Sequence, residues 1–256
     1  MNIIDFSLRR LVDLYSLASS LTGDSALLLF PSCRLAVPRS EIHEATLNYA
    51  HIFIYKDYER FEEFRAGGSE RVVDIGGYLG LYSVKNLKAG KRVKVTVVEA
   101  NPALCKYIYW NLKLNKVDER AKVLCVAVGK RRGWGWFYLG ESLVNSSLIK
   151  GYVEDFSRVV GRLRVFKLTL MDALKMSGFK KIDLLKLDVE GSEGDVLEES
   201  TRALEEFDVE KIVVEIHEGY SSLKRLGKVL EERYRLIVVN DGETPHQSFL
   251  YALSRR

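Results

Sequence analysis

The sequence predicts a doubly wound α/β sandwich, a mostly parallel sheet with helices on both faces and one antiparallel strand from a C-terminal hairpin, preceded by an N-terminal helical cap. Two observations carry this. From Glu70 onward, β-branched runs alternate with stretches of helical periodicity, and such alternation means right-handed crossovers onto a parallel sheet. The chain has 256 residues, 47% hydrophobic and 29% charged, and shows no internal repeat or low-complexity linker. That composition suits an ordered globular protein of one large domain or two small ones.

The elements follow in order. Phe6 to Leu21 carries Leu8, Leu11, Val12 and Tyr15 at helical spacing. Lys56 to Phe64, with Tyr58, Phe61 and Phe64, reads as a second helix. Residues 1–65 are therefore expected to form the cap, too short to bury a core alone, and residues 66–256 the main domain. Arg71–Ile75 is the first strand, Leu79–Leu87 a helix, and Val93–Val98 the second strand. Pro102–Leu114 is a helix opened by proline near its first position. Lys122–Val128 is the third strand and Ile182–Asp188 the fourth, followed by a helix from Ser192, whose hydroxyl can form a capping box with Asp195. Lys211–Ile216 is the fifth strand, and Ser222–Tyr234 a helix with Leu223, Leu226 and Leu230 on one face. Arg235–Val239 and Ser248–Leu253, joined through Asn240-Asp241-Gly242, read as a terminal hairpin.

Several classes are disfavoured. No run approaches ~18 apolar residues, so no transmembrane helix and no membrane partner is expected. Asp5, Arg9, Arg10 and Asp13 interrupt what would be the apolar core of a secretory signal; a cytoplasmic location is the expectation. The net charge of +4 neither requires nor excludes a nucleic acid. Cys33, Cys105 and Cys125 are odd in number and scattered, supporting neither a disulfide framework nor a zinc ribbon. A single glutamine, Gln247, beside abundant Lys, Arg and Glu fits a thermophilic bias.

In doubly wound sheets ligands sit beyond the carboxyl ends of the strands. There, Asp74-Ile75-Gly76-Gly77-Tyr78-Leu79-Gly80 follows strand one and opens a helix, and Glu99 ends strand two, 25 positions after Asp74. Glycines allow close backbone approach, the helix start offers free N–H groups, and an acid at about that interval reaches a ribose. A dinucleotide needs glycine where Tyr78 stands. An acid at Asp74 repels phosphate but suits an ammonium and a sulfonium, so S-adenosylmethionine is the expected cofactor over a nicotinamide dinucleotide. A plain turn, or a carboxylate that only ties down loop amides, is the bland alternative.

On strands four and five, Lys186 and Asp188 share one face, as do Glu215 and His217. A buried ion pair of Lys186 with Glu215 or Asp188 is the structural reading. Functionally, Asp188, His217 and Glu190, in that order, are candidate bases at the strand ends, because a nucleophile that displaces a group from a sulfonium must be aligned and lose its proton. Oxygen and imidazole ligands together can bind a divalent metal, but this spacing specifies none. Between strands three and four, Lys130 to Lys167 holds Lys130-Arg131-Arg132 and an aromatic run in which Trp134, Trp136 and Tyr138 share a face if extended. This surface could stack bases or sugar rings; alternatively the aromatics complete the core of an added strand.

The motifs from Val72 to Ser83, Val98-Glu99-Ala100-Asn101-Pro102, Asn111 to Asn115, Val126-Ala127-Val128-Gly129, Asp183 to Glu193 and Val214-Glu215-Ile216-His217, in this order, resemble those of FkbM-type S-adenosylmethionine-dependent methyltransferases. The resemblance departs at Gly77-Tyr78, where the family more usually has a small residue and Asn. It implies a Rossmann-like class I methyltransferase fold, usually acting on a hydroxyl of a small molecule or sugar. Asp74, Gly76 and Gly80, with Gly77 and Tyr78 in the same loop, would shape the methionine end. Glu99, with Ala100 and Asn101 beside it, would hold the ribose, Ala127 and Val128 would border the adenine, and Asp188 would serve cofactor and chemistry alike. The expected function is O-methylation of a small molecule or glycan. The alternatives are an RNA methyltransferase using the 130–167 insert and a non-catalytic cofactor-binding protein.

Overall fold

The computed structural model describes residues 24–198, 200–240 and 247–255. In chain order it contains β1 (Ser25–Leu29), β2 (Arg34–Pro38), α1 (Ile42–Tyr49), β3 (Arg71–Ile75), α2 (Leu81–Ala89), β4 (Lys94–Glu99), α3 (Pro102–Leu114), β5 (Ala121–Cys125) and β6 (Ala127–Val128). There follow β7 (Gly133–Gly140), α4 (Lys150–Phe156), β8 (Val159–Leu168), α5 (Leu170–Ser177), β9 (Leu184–Leu187), α6 (Glu193–Leu197) and α7 (Thr201–Glu206). The chain closes with β10 (Lys211–His217), α8 (Leu223–Leu230), β11 (Tyr234–Asn240) and β12 (Gln247–Ser254). The expected helix Phe6–Leu21 and the turn residues Asp241-Gly242 lie outside the described residues.

Seven strands form the main sheet in the order β11-β12-β10-β9-β3-β4-β5. It is parallel except for β12, which runs antiparallel to both β10 and β11. This is the doubly wound, Rossmann-like sheet the alternation predicts. Both faces are covered because successive residues of a strand point to opposite sides. Val72, Val95 and Val97 enter a core with Leu104, Ile108 and Leu112 of α3, whereas Val73, Ile75, Leu185 and Leu187 enter a second core with Leu174 and Leu226.

Four expectations are corrected. Residues 25–38, for which no strands are predicted, form the antiparallel β1–β2 hairpin. It is clamped by Asn111, whose side chain accepts from Ala36 N–H (2.6 Å) and donates to Ala36 C=O (3.0 Å) and Leu79 C=O (2.9 Å). Lys56–Phe64 is not a continuous helix but two short 3-10 turns, Asp57–Glu59 and Glu62–Phe64, and the helix of this region is α1. The third strand breaks at Val126. Cys125 is paired with Glu99, the last residue of β4, so beyond it the chain has no partner in this sheet and β6 pairs with β8 instead. Cys105 and Cys125 are joined by a disulfide with Cα atoms 6.0 Å apart: α3 packs its first turns over the end of β5, a juxtaposition that cysteine spacing does not encode.

Helix ends differ too. Ser192 forms no side-chain cap, and its hydroxyl has no hydrogen-bond partner. Ser222 does cap α8, accepting from Arg225 N–H at 3.4 Å, but α8 stops at Leu230 because Tyr234 is already in β11, its hydroxyl bonded to Val209 C=O at 2.8 Å. In the insert, β6, β8 and β7 make a three-stranded sheet. Its inward residue is Phe137, while Trp134 is 63% and Trp136 39% exposed. The tryptophans therefore do not complete a core. Arg162 and Arg164 stack on Trp136 at 4.1 and 5.6 Å, a cation–π arrangement.

Replacing Asn111 by Ala strips partners from both backbone groups of Ala36 and from Leu79 C=O. With about 1–3 kcal/mol for each buried polar group left unpaired, Asn111→Ala is expected to destabilise the fold by about 2–4 kcal/mol in denaturant unfolding. A cost under about 0.5 kcal/mol would contradict the clamp.

Candidate active site

Lys186 lies in β9, between β3 and β10, and is 4% exposed. Its ammonium donates to Gly76 C=O (2.6 Å) and pairs with Asp188 Oδ2 (3.1 Å) and Asp74 Oδ1 (3.4 Å). Burial pushes its pKa down, but the flanking carboxylates outweigh burial and raise it, so it stays charged. Its partners are thus Asp74 and Asp188 rather than Glu215. Asp74 is fully buried and accepts from Ser83 Oγ at 2.6 Å. Its charge is spent inward on Lys186, and the argument from repulsion of a ligand phosphate does not hold.

The loop after β3 is fixed by short backbone bonds. Gly76 and Gly77 N–H both donate to Val98 C=O, at 3.0 and 3.1 Å. Gly76 has φ +83°, and a Cβ there would land on the carbonyl oxygen of Asp188, so only glycine lets β3 and β9 end this close together. Tyr78 follows with φ +47°. Its hydroxyl donates to Glu41 Oε2 at 2.7 Å, and the same carboxylate accepts from Leu143 N–H at 3.1 Å. One buried acid of the N-terminal region thus joins the loop to the insert. Glu99 accepts from Tyr78 N–H and Asn101 N–H, both at 2.8 Å. Burial lifts its pKa to about 7 against the lowering pull of those amides.

These elements border an open cleft enclosing about 790 Å³ out to its mouth, lined by Gly76, Gly77, Tyr78, Glu99, Ala100, Val126, Ala127, Val128, Phe137, Asp188 and Glu190 among others. Of the expected cofactor residues, Asp74, Gly80 and Asn101 stand behind this lining. Gly80 packs at φ +80° against Ile108, and Asn101 caps α3 by accepting from Ala103 N–H at 3.0 Å. The cleft fits S-adenosylmethionine by its chemistry. It has an apolar wall at Val126, Ala127, Val128 and Phe137 for a base. At its other side Glu99 spends one lone pair of each oxygen on an amide and keeps the second for a ribose hydroxyl.

A second cavity adjoins the first, sharing Asn48, Tyr58, Val144, Asp188 and Glu190, and adds Tyr152, Glu215, His217 and Gln247. Tyr58 was predicted only as an apolar helix residue. Its hydroxyl stands between Asp188 Oδ2 (2.9 Å) and Glu215, with one proton for two acids; no spacing signal marks it. Glu190 adopts φ +54° and Gly191 φ +91°, a turn that swings the Glu190 carboxylate into the cavity, where Tyr152 donates to it. Such left-handed backbone at a non-glycine residue costs about 1–3 kcal/mol and clusters at functional sites. Glu193, fully buried, accepts from Val189 N–H (3.2 Å), Gly191 N–H (3.0 Å) and Ser221 Oγ (2.6 Å), and meets His217 Nδ1 at 3.0 Å.

Electrostatics separates the candidate bases. Asp188, though burial raises its pKa, is held low by Lys186 first and His217 next, so it stays ionised. Burial lifts Glu190 to about 8 and Glu215 to about 7, with Asp188 adding to both. For His217, burial is outweighed by Glu190, Glu193 and Glu215, which raise its pKa well above the usual range; the bare imidazole is held protonated.

A parallel sheet with a glycine loop, a strand-end acid and a cleft over the carboxyl ends of its strands is the arrangement of a doubly wound fold that binds a nucleoside-containing cofactor. The sequence matches the Methyltransferase FkbM domain family over residues 74–236, more than half of the chain, and the protein belongs to that family. No curated protein sequence matches the chain. Among solved structures, the chain is similar to a SAM-dependent methyltransferase from Aquifex aeolicus (13% identity, 81% of this chain and 93% of that one, TM-score 0.46). It is also similar to the cofactor-bound protein Rv0187 from MTB (16% identity, 73% of each chain, TM-score 0.44). A third is a predicted O-methyltransferase from Agrobacterium tumefaciens (14% identity, 73% and 75%, TM-score 0.43). Among the described residues no helix is long and apolar enough to cross a membrane.

Removing the lysine charge leaves Asp74 and Asp188 buried without their counter-ion. Breaking a buried pair from one side costs about 3–5 kcal/mol, so Lys186→Met is expected to lower unfolding stability by about that amount. A variant as stable as the parent would contradict the central role of the pair.

Proposed function

We propose that this methyltransferase transfers a methyl group to a hydroxyl of a small molecule or sugar bound in the second cavity. The observation that carries the proposal is the meeting of two cavities at Tyr58, Asp188 and Glu190. One is apolar with a ribose-type acid, the other is walled by carboxylates, and a group bound in each would face the other across Asp188. S-adenosylmethionine supplies the methyl group as a sulfonium, so the S–CH₃ bond breaks, an O–CH₃ bond forms, and the hydroxyl proton must go to the protein. In this reading Gly76, Gly77 and Tyr78 receive the methionine end, Glu99 and Ala100 the ribose, and Ala127 and Val128 the adenine. Asp74, Gly80 and Asn101 hold those residues in place. Asp188 stays ionised near the sulfonium, whose charge it favours. The proton goes to Glu190 or Glu215, because a base is most useful when its pKa lies near the working pH; His217, held protonated, steadies the charge that builds on them. Of the expected cap, the described residues 24–65 reach the site through Asn48 and Tyr58.

The exposed Trp134 and Trp136 with Arg132, Arg162 and Arg164 give an RNA acceptor one specific observation, since such surfaces stack bases. Phosphate contacts make that binding fall steeply with salt. The hydroxyl reading predicts turnover on sugars, polyols or phenols that changes little between 50 and 300 mM salt. Transfer to RNA alone, lost at the higher salt and in Arg162→Ala, would replace it.

Glu99 supplies the pH test. With its pKa raised to about 7, it is protonated below that pH and ionised above, and ribose hydroxyls donate to the ionised form. Affinity for S-adenosylhomocysteine in calorimetry is expected to rise about tenfold from pH 6 to pH 8, and to be flat in Glu99→Gln. A pH-independent parent would contradict the ribose assignment. Glu190→Gln is expected to bind S-adenosylhomocysteine within about threefold of the parent yet to lose about 10²–10⁴-fold in transfer rate. Unchanged transfer would remove Glu190 from the chemistry.

A further inference from the structure

The acid-walled cavity has ligand atoms to spare. Asp188, Glu190 and His217 each present one, and these three atoms lie within 4.8 Å of one another. In the same residues Asp188 Oδ1 and His217 Nε2 are buried with no hydrogen-bond partner, and the His217 residue is 3% exposed. The other atom of each group is already engaged: Asp188 Oδ2 by Lys186 and Tyr58, and His217 Nδ1 by Glu193. That division matches what metal centres require. A ligating imidazole almost always gives its second nitrogen to a carboxylate, which fixes the ring and turns the lone pair of the other nitrogen toward the ion. Glu193, itself held by two backbone amides and Ser221, is such a carboxylate. The Glu190 Oε2 atom lies 3.3 Å from His217 Nε2. Two ligands at right angles on a cation with bonds of about 2.1–2.4 Å are about 3–3.4 Å apart, and two on opposite sides about 4–5 Å.

We propose that Asp188, Glu190 and His217 form a binding site for one divalent cation, of the Mn²⁺ type that accepts mixed carboxylate and imidazole ligands, and that this cation receives the acceptor through two adjacent oxygens. The inference rests on the methyl-transfer reading and narrows its substrate class. Three protein ligands leave several coordination positions of a six-coordinate ion to the cavity. An acceptor with neighbouring oxygens, a vicinal diol, a catechol or a 2-hydroxy acid, would fill two of them. A cation held by these residues would acidify the hydroxyl it receives and orient it toward the methyl donor. The surroundings favour a cation, for Glu44, Asp57 and Glu215 line the same cavity. Without an ion His217 is protonated and paired with Glu190, as described above; a bound cation takes the place of that proton, and the two residues then act as ligands.

The test titrates the whole protein with Mn²⁺ alone and follows the disappearance of the free-ion electron paramagnetic resonance signal. S-adenosylhomocysteine binding is measured by calorimetry on the same samples. The expected result is one Mn²⁺ per chain, with nitrogen hyperfine coupling from one imidazole. That coupling is lost in His217→Gln, and affinity falls at least about tenfold in Glu190→Gln. Retained S-adenosylhomocysteine binding shows that each variant is folded, and Asp188→Asn gives a third ligand test if His217→Gln fails to fold. If S-adenosylhomocysteine binds but Mn²⁺ does not up to millimolar concentration, or binds equally well to the variants, the cation site is overturned while the methyl-transfer reading stands. If Mn²⁺ binds as described but S-adenosylhomocysteine does not, the cation site is supported and the methyl-transfer reading fails instead.

Discussion

A single buried ammonium organises this protein. Lys186 sits in the strand at the centre of the seven-stranded sheet, among the hydrophobic side chains that hold its two faces together. A lone charge there would be prohibitively costly, and it is tolerable because Asp74 and Asp188 meet it directly and Gly76 offers a carbonyl. Those partners belong to the end of β3 and the loop after it, and to the end of β9, the places where a doubly wound sheet opens toward a ligand. Satisfying the lysine therefore sets the distance between them. The glycine at Gly76 follows from the same constraint, since any side chain there would strike the Asp188 carbonyl.

The rest of the site is arranged around that crossing. Asp188 has one oxygen committed to Lys186 and Tyr58 and the other buried without a hydrogen-bond partner, in a residue that lines the acid-rich cavity. Beyond it, the left-handed turn at Glu190 and Gly191 is held by Glu193, which also orients His217. The N-terminal region and the insert close in from the opposite side. Glu41 binds Tyr78 and Leu143, and Tyr58 places a hydroxyl between two carboxylates. Neither segment could form this wall alone, as each supplies only part of it. The outcome is an apolar cleft and a charged one sharing a boundary, an arrangement suited to bringing a charged methyl donor against an oxygen that must lose a proton.

Much of this was legible in the sequence, for definite reasons. β3, β4, β9 and β10 are buried on both faces, so they read as hydrophobic runs interrupted only at Asp74, Thr96, Lys186 and Glu215 between their ends, and Pro102 marks the start of α3 to the residue. The glycine loop, Glu99 and the acids at the ends of β9 and β10 fall at strand ends, where position along the chain and position in space coincide. What stayed hidden depends on contacts between distant segments. The β1–β2 hairpin is set by Asn111, some 75 residues away. The role of Tyr58 comes from acids 130 and 157 positions later, and the Cys105–Cys125 bridge from the packing of α3 on β5. Asp74 was legible as an important acid, but its direction was not, because nothing in its neighbourhood tells that Lys186 lies beneath it.

The most direct measurement is a crystal structure of the protein with S-adenosylhomocysteine. The account predicts the adenine against Ala127, Val128 and Phe137, the ribose hydroxyls on Glu99, and the sulfur directed past Asp188 into the cavity that holds Glu190 and His217, with Lys186 still bound to Asp74, Asp188 and Gly76. A ligand whose sulfur points away from that cavity, or a Lys186 released from its partners to contact the ligand, would contradict it.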